Sequence, residues 1–122
     1  MAHLIDLKTF TDERGNLTVI EKVVPFEIKR IFYIYGVDKS KRGSHRHNKT
    51  IQAAICIRGF CTIYSNDGVK EELFDLDQPN KCLILETRDW HTMYNFSPDA
   101  ILMVLASEFF DEKDYIFEPY KK

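Results

Sequence analysis

Two histidines separated by one residue, His45 and His47, lie in the segment 42–52. Alternate side chains of a β-strand point to the same face, so both imidazoles should lie on one wall of a sheet and Arg46 should face the other way. Imidazole titrates near neutral pH and is a common metal ligand. The segment therefore predicts either a metal site or an acid–base site.

Another histidine and a glutamine stand at recognisable distances from this pair. The positions that share the spacing are His45, His47, Gln52, Gly59, His91 and Asn95. This spacing resembles the two motifs of the cupin superfamily, in which a Glu usually holds the position of Gln52. The resemblance implies a small jelly-roll barrel with the three histidines converging inside it. Gln52 joins them only if a bend at Asn48 and Lys49 resets the strand register.

The side chain at position 52 bears on whether the site holds a metal ion. Metal-binding cupins usually offer three His and one Glu, and here an amide, a neutral and weaker ligand, replaces the carboxylate. Three imidazoles could still hold zinc or iron. The alternatives are metal-free acid–base catalysis by paired imidazoles and histidines that are merely packed and hydrogen-bonded. Metal-free catalysis is preferred, so we predict no metal and no cofactor.

Longer stretches of the chain carry a closer resemblance. They are Asp12–Leu17, Arg42–His47 with Gln52, Trp90–Ala100, and Leu105–Asp111 with Asp114–Ile116. These stretches are similar to the nucleotide-sugar 3,4-ketoisomerase family over nearly the full chain. The resemblance implies an isomerase that converts dTDP-4-keto-6-deoxyglucose to its 3-keto isomer, without a redox cofactor. Such enzymes act on routes to 3-amino-3,6-dideoxyhexoses, including those of lipopolysaccharide O-antigens.

The same resemblance implies roles for individual residues. His47 is predicted to be the base at C3 and His45 to assist at the oxygens or at C4, and the reverse assignment of the two histidines stays open. Arginine forks suit the oxygens of a diphosphate, and tyrosine hydroxyls suit a sugar. The predicted substrate-binding residues are Arg14, Asn16, Tyr35, Arg46, Gln52, His91 and Tyr94. In the family, the residue at position 16 relates to the configuration at C4 and is Tyr or Arg, so Asn16 leaves a gluco or a galacto product open.

Three rival functions are retained. A metal-dependent cupin enzyme would use the histidines as ligands. A sugar-nucleotide epimerase would share the first proton abstraction beside the carbonyl. A non-catalytic module would only bind a sugar nucleotide.

Composition sets the wider limits. The chain has 122 residues, which fits one domain over 1–122, and its net charge of −2 gives no footprint for nucleic acid. The three cysteines are odd in number and lack a CxxC pair, which is typical of reduced thiols in a cytoplasmic protein. We expect no signal peptide at the N-terminus and no membrane-spanning segment.

Short apolar runs separated by turn residues predict an all-β fold, a sandwich or barrel, with a short C-terminal helical turn within 109–115. The predicted strands are 3–10, 17–20, 30–37, 51–57, 60–64, 69–76, 82–85, 90–96 and 100–106. The strand 51–57 is apolar on both faces, so a second layer should cover its outer side. A homodimer is the preferred explanation, and cover by the chain's own termini is the alternative. The family resemblance implies that such a dimer can exchange its N-terminal strands.

Overall fold

β-branched and aromatic residues recur through the chain at strand spacing, and they form strands that face a common interior. The structure is a computed structural model that describes residues 1–121. Lys122, the last residue of the predicted domain, lies outside the described residues. Two five-stranded sheets pack on each other and a two-stranded hairpin stands beside them, which confirms the predicted all-β jelly-roll class.

The first sheet is antiparallel throughout, with the strand order β1-β9-β6-β11-β4. Its strands are β1 (His3–Asp6), β4 (Arg30–Tyr35), β6 (Gln52–Arg58), β9 (Lys81–Leu85) and β11 (Ile101–Ala106).

The second sheet is also antiparallel, with the order β12-β5-β10-β7-β8. Its strands are β5 (Arg42–His47), β7 (Cys61–Asn66), β8 (Glu71–Leu76), β10 (Trp90–Tyr94) and β12 (Tyr115–Ile116). A 3₁₀ turn, Glu112–Asp114, precedes β12 and confirms the predicted C-terminal helical turn.

The interior between the sheets is a continuous apolar core. Ala54 and Cys56 of β6 meet Ile63 of β7 and Met93 of β10 there, all of them buried. The three cysteines of the described chain are buried with free thiols, as expected for small core residues.

A second apolar cluster covers the outer face of the first sheet. Ala53 and Ile55 of β6, which alternate with the interior residues, pack on this side. Ile20, Val24 and Phe26 lie against the cluster. The prediction that β6 is apolar on both faces is confirmed, and a segment of the chain itself supplies part of the covering layer.

The predicted first strand, 3–10, is divided in the structure. β1 ends at Asp6 and a new strand, β2 (Lys8–Asp12), pairs with β3 (Gly15–Val19) in the hairpin. Between them Leu7 is buried, and its N–H donates to the carbonyl of Asn80 (2.8 Å). The apolar pattern of the sequence continues across this break because Leu7 is a core residue. The pattern alone therefore does not reveal the break between β1 and β2.

Among residues 1–121, no helix is long and apolar enough to cross a membrane.

Candidate active site

Three histidines converge in the interior at one end of the barrel. His45 on β5 lies directly opposite His91 on β10, with ring centroids 5.0 Å apart. His47, two residues on, has its ring 4.9 Å from that of His45 and 6.2 Å from that of His91. The prediction that His45 and His47 share a face is therefore confirmed, and the predicted convergence of His91 with them is confirmed too.

A glycine allows β5 to approach β10 closely at this point. Gly43 has a φ of +84°, and a Cβ at this position would lie 3.2 Å from the carbonyl oxygen of His91. The next residue, Ser44, also has a positive φ, and the register between the strands shifts here. This irregularity places the ring of His45 against the ring of His91.

Gln52 lies on the interior side as well. β5 ends at His47 and β6 begins at Gln52, and the two residues directly after His47, Asn48 and Lys49, form a bend. Gln52 has the parity of Ala54, which is a core residue, and it is buried with no hydrogen-bond partner for its Oε1 in the described chain. The condition for Gln52 to lie on the same side as the histidines, a bend at Asn48 and Lys49, is therefore met.

His47 makes a buried contact that links the barrel to the C-terminal 3₁₀ turn. Its Nδ1 lies 3.0 Å from Oδ2 of Asp114, and both side chains are buried. The same carboxylate accepts from the hydroxyl of Thr50 (2.5 Å) and from the N–H of Lys49 (2.7 Å). Asp114 belongs to a stretch that carried the family resemblance, but the sequence did not predict its contact with His47.

The environment keeps all three imidazoles uncharged near neutral pH. Burial lowers the pKa of His91 to about 3. Burial, together with the repulsion that a protonated His45 would experience from a protonated His47, lowers the pKa of His45 to about 4. Burial also lowers the pKa of His47, although hydrogen bonding to Asp114 opposes that shift. Uncharged imidazoles can accept protons or bind metal ions.

The Nε2 atoms of His47 and His91 are free to accept a proton or to bind a metal ion. Nδ1 of His91 lies 3.0 Å from the carbonyl oxygen of Asp89, and a carbonyl only accepts, so this Nδ1 carries the hydrogen. The contact with Asp114 fixes the same tautomer for His47. Both Nε2 atoms are buried and lack a hydrogen-bond partner within residues 1–121.

The C-terminal segment closes over the histidines with aromatic rings. Tyr115 of β12 packs 4.5 Å from the ring of His45 and 4.6 Å from that of His47, between centroids. Phe117 lies 6.0 Å from His45. A cavity of about 320 Å³ opens beside these rings, lined by Phe110, Glu112, Tyr115 and Phe117.

Arg30 is a cation near the site to which sequence analysis gave no role. It begins β4 and alternates with Phe32, which packs on the interior core. Its guanidinium lies 4.6 Å from the ring centroid of Phe32 and 5.2 Å from that of Phe110, and its charge lowers the pKa of His47. Arg30 and Phe32 are two positions apart on β4 and so lie on the same face. This alternation was the one signal in the sequence that could have placed Arg30 near the interior.

Three of the predicted substrate-binding residues lie away from the histidines of the same chain. Arg14 and Asn16 stand on the hairpin, where Arg14 pairs with Asp12 at 2.6 Å. Tyr35 faces outward from β4, 68% exposed and stacked on Tyr33. Within one described chain these residues are not brought to the site.

Arg46 and Tyr94 lie on the outer face of the second sheet. Tyr94 has the opposite parity to His91, and Lys41 lies over its ring at 5.6 Å. The guanidinium of Arg46 lies 4.9 Å from the ring centroid of Tyr120. The predicted outward direction of Arg46 is confirmed, and neither residue joins the histidines within the described chain.

The histidine cluster also has the composition of a metal site. One ring nitrogen from each of His45, His47 and His91 lies within 4.8 Å of the others. His47 contacts Asp114 through its Nδ1, and His91 contacts the carbonyl of Asp89 through its Nδ1. Contacts of this kind orient imidazoles that bind a metal ion through the other ring nitrogen. These three residues could therefore hold zinc or iron, with Gln52 as the adjacent neutral group.

A two-sheet barrel whose interior carries three uncharged histidines defines a cupin-type protein equipped for proton transfer or metal binding. The family described as FdtA, WxcM-like, C-terminal matches residues 1–121. The chain belongs to this family.

Individual relatives agree with this assignment. The chain is 40% identical over 124 residues to the TDP-4-oxo-6-deoxy-alpha-D-glucose-3,4-oxoisomerase of Aneurinibacillus thermoaerophilus, covering 98% of this chain and 89% of the relative. A 3,4-ketoisomerase structure from Helicobacter canadensis superposes with a TM-score of 0.91 at 39% identity, over 96% of this chain and 90% of the other. A mutant of the QdtA 3,4-ketoisomerase from Thermoanaerobacterium thermosaccharolyticum, in complex with TDP-4-keto-6-deoxyglucose, gives a TM-score of 0.91 at 39% identity, over 96% and 87%. The resemblance to sugar 3,4-ketoisomerases seen in the sequence is confirmed.

Proposed function

We propose that this protein is a sugar-nucleotide 3,4-ketoisomerase that converts dTDP-4-keto-6-deoxyglucose to its 3-keto isomer. The observation that carries the proposal is the buried, uncharged His47 with a bare Nε2 in a chain that belongs to this family. The reaction relocates protons within one sugar ring, so it consumes no oxidant or reductant. It needs a base, an acid and a site that excludes water.

The first step removes the proton at C3 of the sugar. This proton is acidic because the electrons of the C3–H bond are delocalised onto the neighbouring C4 carbonyl as an enolate. Nε2 of His47 accepts the proton, and the imidazolium that forms is held by the carboxylate of Asp114 at 3.0 Å. The product of this step is an enediol once the C4 oxygen is protonated.

The second step completes the isomerisation. The hydroxyl proton on the C3 oxygen leaves, the C3 carbonyl forms, and C4 receives a proton. His45 contacts both His47 and His91 and is the least buried of the three, so it serves as the proton carrier at the oxygens or at C4. Substrate and product have the same atoms and the same number of electrons.

The substrate is held by groups around the barrel end. Gln52 and His91 face the sugar from the interior, and Arg30, next to Phe110, offers a guanidinium to the diphosphate. The aromatic cavity beside Tyr115 has the size and character to take a sugar or a base. Five of the predicted substrate-binding residues could contact the sugar nucleotide only at the histidine site of a second chain. They are Arg14, Asn16, Tyr35, Arg46 and Tyr94.

A cytoplasmic homodimer is part of the proposal. The hairpin of β2 and β3 pairs with neither sheet in the described chain, and Phe10 and Leu17 on it are exposed. The outer face of β4 is also exposed and aromatic. Unpaired strands with apolar faces favour association between chains. Exchange of the hairpins in a dimer would cover the apolar side chains of the hairpin and the outer face of β4, and it would carry Arg14 and Asn16 to the partner chain.

The activity is tested by proton NMR with dTDP-4-keto-6-deoxyglucose in D₂O. We expect a 3-keto sugar with deuterium at C4, and the couplings at C4 give the gluco or galacto configuration. His47→Ala should abolish both product and exchange, while His3→Ala, which replaces an exposed histidine on β1, should leave them unchanged. A product with an inverted centre and an unmoved carbonyl would identify an epimerase instead, and no exchange at any carbon would leave a binding module.

A metal-dependent cupin enzyme is the second candidate, because the three imidazoles present nitrogen atoms to one another within 4.8 Å. The same NMR experiment is repeated after dialysis against EDTA. Activity that survives chelation supports metal-free proton transfer. Activity that disappears with EDTA and returns with zinc or iron would favour the metal enzyme.

A further inference from the structure

The histidine nitrogens that would meet a sugar are closed off from solvent. Nε2 of His47 and Nε2 of His91 are both buried. Proton transfer from a sugar carbon needs the two reacting atoms about 3–3.5 Å apart, and an atom that water cannot touch is closed to a sugar as well. A substrate therefore reaches the histidines only after a part of the protein has moved aside.

The aromatic rings that cover the histidines belong to one segment near the C-terminal end of the structure. The ring centroid of Tyr115 lies 4.5 Å from that of His45 and 4.6 Å from that of His47. Phe117 stacks on Tyr115 with 6.0 Å between centroids and lies 6.0 Å from His45. We call the residues 115–120, which include both rings, the C-terminal strap.

The strap is attached to groups outside the histidine cluster. The indole N–H of Trp90 donates to the carbonyl of Phe117 at 3.1 Å, and the hydroxyl of Tyr120 donates to the carbonyl of Arg88 at 2.8 Å. The guanidinium of Arg46 lies 4.9 Å from the ring centroid of Tyr120. These contacts involve no histidine, so the cover over the cluster is held in place from outside it.

A glycine provides the space that the ring of Tyr120 occupies. A Cβ at Gly68, in the turn between β7 and β8, would lie 3.2 Å from this ring. A larger side chain at position 68 would press on the ring of Tyr120. The place where the strap is attached is thus shaped for this tyrosine.

The strap has a fixed start and a short pairing with the barrel. Asp114, directly before it, is buried and accepts from the N–H of Lys49 and the hydroxyl of Thr50. From there the strap pairs with the edge strand β5 over two residues, Tyr115 and Ile116. A segment held by so few backbone hydrogen bonds can open while the rest of the fold stays intact.

We propose that the C-terminal strap is a gate, which closes the histidine cluster in the free protein and opens when Tyr120 leaves its contacts with Gly68, Arg46 and Arg88. Departure of Phe117 frees the ring of Tyr115 to turn away from the histidines. The inference rests on the proposed isomerase function, because it concerns entry of the sugar nucleotide to the same site. A strap that only stabilises the barrel is the alternative.

The two roles predict opposite changes in affinity when the strap is loosened. A protein that binds only in its open form has an apparent Kd equal to the intrinsic Kd divided by the open fraction. Loosening a gate therefore tightens binding, whereas loosening a structural strap leaves binding unchanged or weakens it. The probe is dTDP-glucose, which has the sugar and the diphosphate but lacks the keto group and so is not turned over.

Tyr120→Phe removes the hydrogen bond to Arg88 and keeps the ring. We expect the Kd for dTDP-glucose in calorimetry to fall about 3- to 10-fold, the effect of one hydrogen bond on the open fraction. Gly68→Ala, which presses on the ring, should also lower the Kd, but not in a Tyr120→Ala background, where the ring is gone. Tyr64→Phe is the matched control, because it removes a hydroxyl that donates to Glu71 at 2.5 Å on the same sheet. It should keep the natural Kd.

Fluorescence of Trp90 reports the gate directly. Trp90 is the one tryptophan of the 122-residue sequence, and its indole N–H is bonded to the strap. Addition of dTDP-glucose should shift its emission to the red and increase quenching by acrylamide, because the indole loses the carbonyl of Phe117 and meets water. Tyr120→Phe should show part of this change before the ligand is added.

The two measurements need no turnover, so the gate and the proposed function can fail separately. A protein without isomerase activity whose Trp90 emission still responds to dTDP-glucose would remove the proposed function and leave the gate. An active isomerase whose Trp90 emission does not respond would overturn the gate. So would a Kd for Tyr120→Phe at or above that of the natural protein, or a fall in Kd for Tyr64→Phe as large as that for Tyr120→Phe.

Discussion

Opposing influences set the basicity of His47. Burial and the positive charge of Arg30 disfavour its protonation, while the carboxylate of Asp114 favours it. A base that works near neutral pH must be uncharged at rest and yet stable after it takes a proton, and this combination meets both needs. Strand parity in the sequence predicted that His45 and His47 share a wall, but not this balance, because Asp114 is 67 positions from His47 and no local periodicity links them.

Burial of His91 has a consequence for acid stability. Its pKa in the folded chain is about 3, below the ordinary value of 6.5 that applies to the unfolded chain. Between these values the unfolded chain binds more protons, so the free energy of unfolding falls as the pH drops below 6.5, by about 1.4 kcal/mol per pH unit for one such group. Above pH 6.5 this residue contributes no slope.

Urea unfolding between pH 7 and pH 5 measures this slope. His91→Gln, which cannot titrate, should have a shallower slope than the natural protein, whatever its stability at pH 7. Leu73→Gln, at an exposed position of β8 that carries no titratable group, should keep the natural slope. Equal slopes for His91→Gln and the natural protein would contradict the assigned pKa of His91.

At the scale of elements, the sequence predicted strands well where both an apolar pattern and turn residues bound them. β9 and β11 were predicted within one residue of their limits, since turn residues at 77–80 precede β9 and turn residues at 97–99 precede β11. The break at Leu7 was missed because a buried leucine continues the pattern of the strands on either side. Register shifts such as the one beside Gly43 depend on contacts between distant strands, so the sequence offers no direct signal for them.

The turn from β6 to β7 is an element whose tightness can be tested. Gly59 has a φ of +70°, and a Cβ there would lie 2.2 Å from Oγ of Ser97 and 2.9 Å from Cα of Ala100. The same Oγ accepts from the N–H of Phe60 at 2.9 Å, so Ser97 cannot move without loss of a hydrogen bond. Gly59→Ala should therefore destabilise the fold through both backbone strain and a clash.

Gly36 provides the matched control for this turn. Its φ of +68° is nearly equal, and a Cβ at this position would have no atom of residues 1–121 within 4 Å beyond its chain neighbours, so Gly36→Ala measures the backbone strain alone. We expect a loss of about 1 kcal/mol in the free energy of unfolding for Gly36→Ala, and a further loss of about 1–3 kcal/mol for Gly59→Ala. Equal losses in chemical denaturation would show that Ser97 yields without cost.

At the scale of the whole molecule, the two sheets differ in how their outer faces are covered. The chain covers part of the first sheet with Ile20, Val24 and Phe26, but leaves Tyr33 on the outer face of β4 64% exposed. If this face is the dimer interface, Tyr33→Glu should shift the protein from dimer to monomer in light scattering. Leu73→Glu on β8 changes an equally exposed residue (64%) of the second sheet and should leave the dimer intact. A dimer that tolerates Tyr33→Glu would place the interface elsewhere.

Exchange of the hairpins makes a sharper prediction, because it assigns Arg14 and His47 of one site to different chains. Arg14→Ala and His47→Ala should each be inactive as homodimers. In a mixture that is unfolded and refolded together, half of the dimers are heterodimers, and one of the two sites in each heterodimer has both residues intact. We therefore expect recovery of about one quarter of the natural activity in the refolded mixture. If Arg14 acts within its own chain, no site in the heterodimer is complete and the mixture stays inactive, since each chain then has only its own defective site.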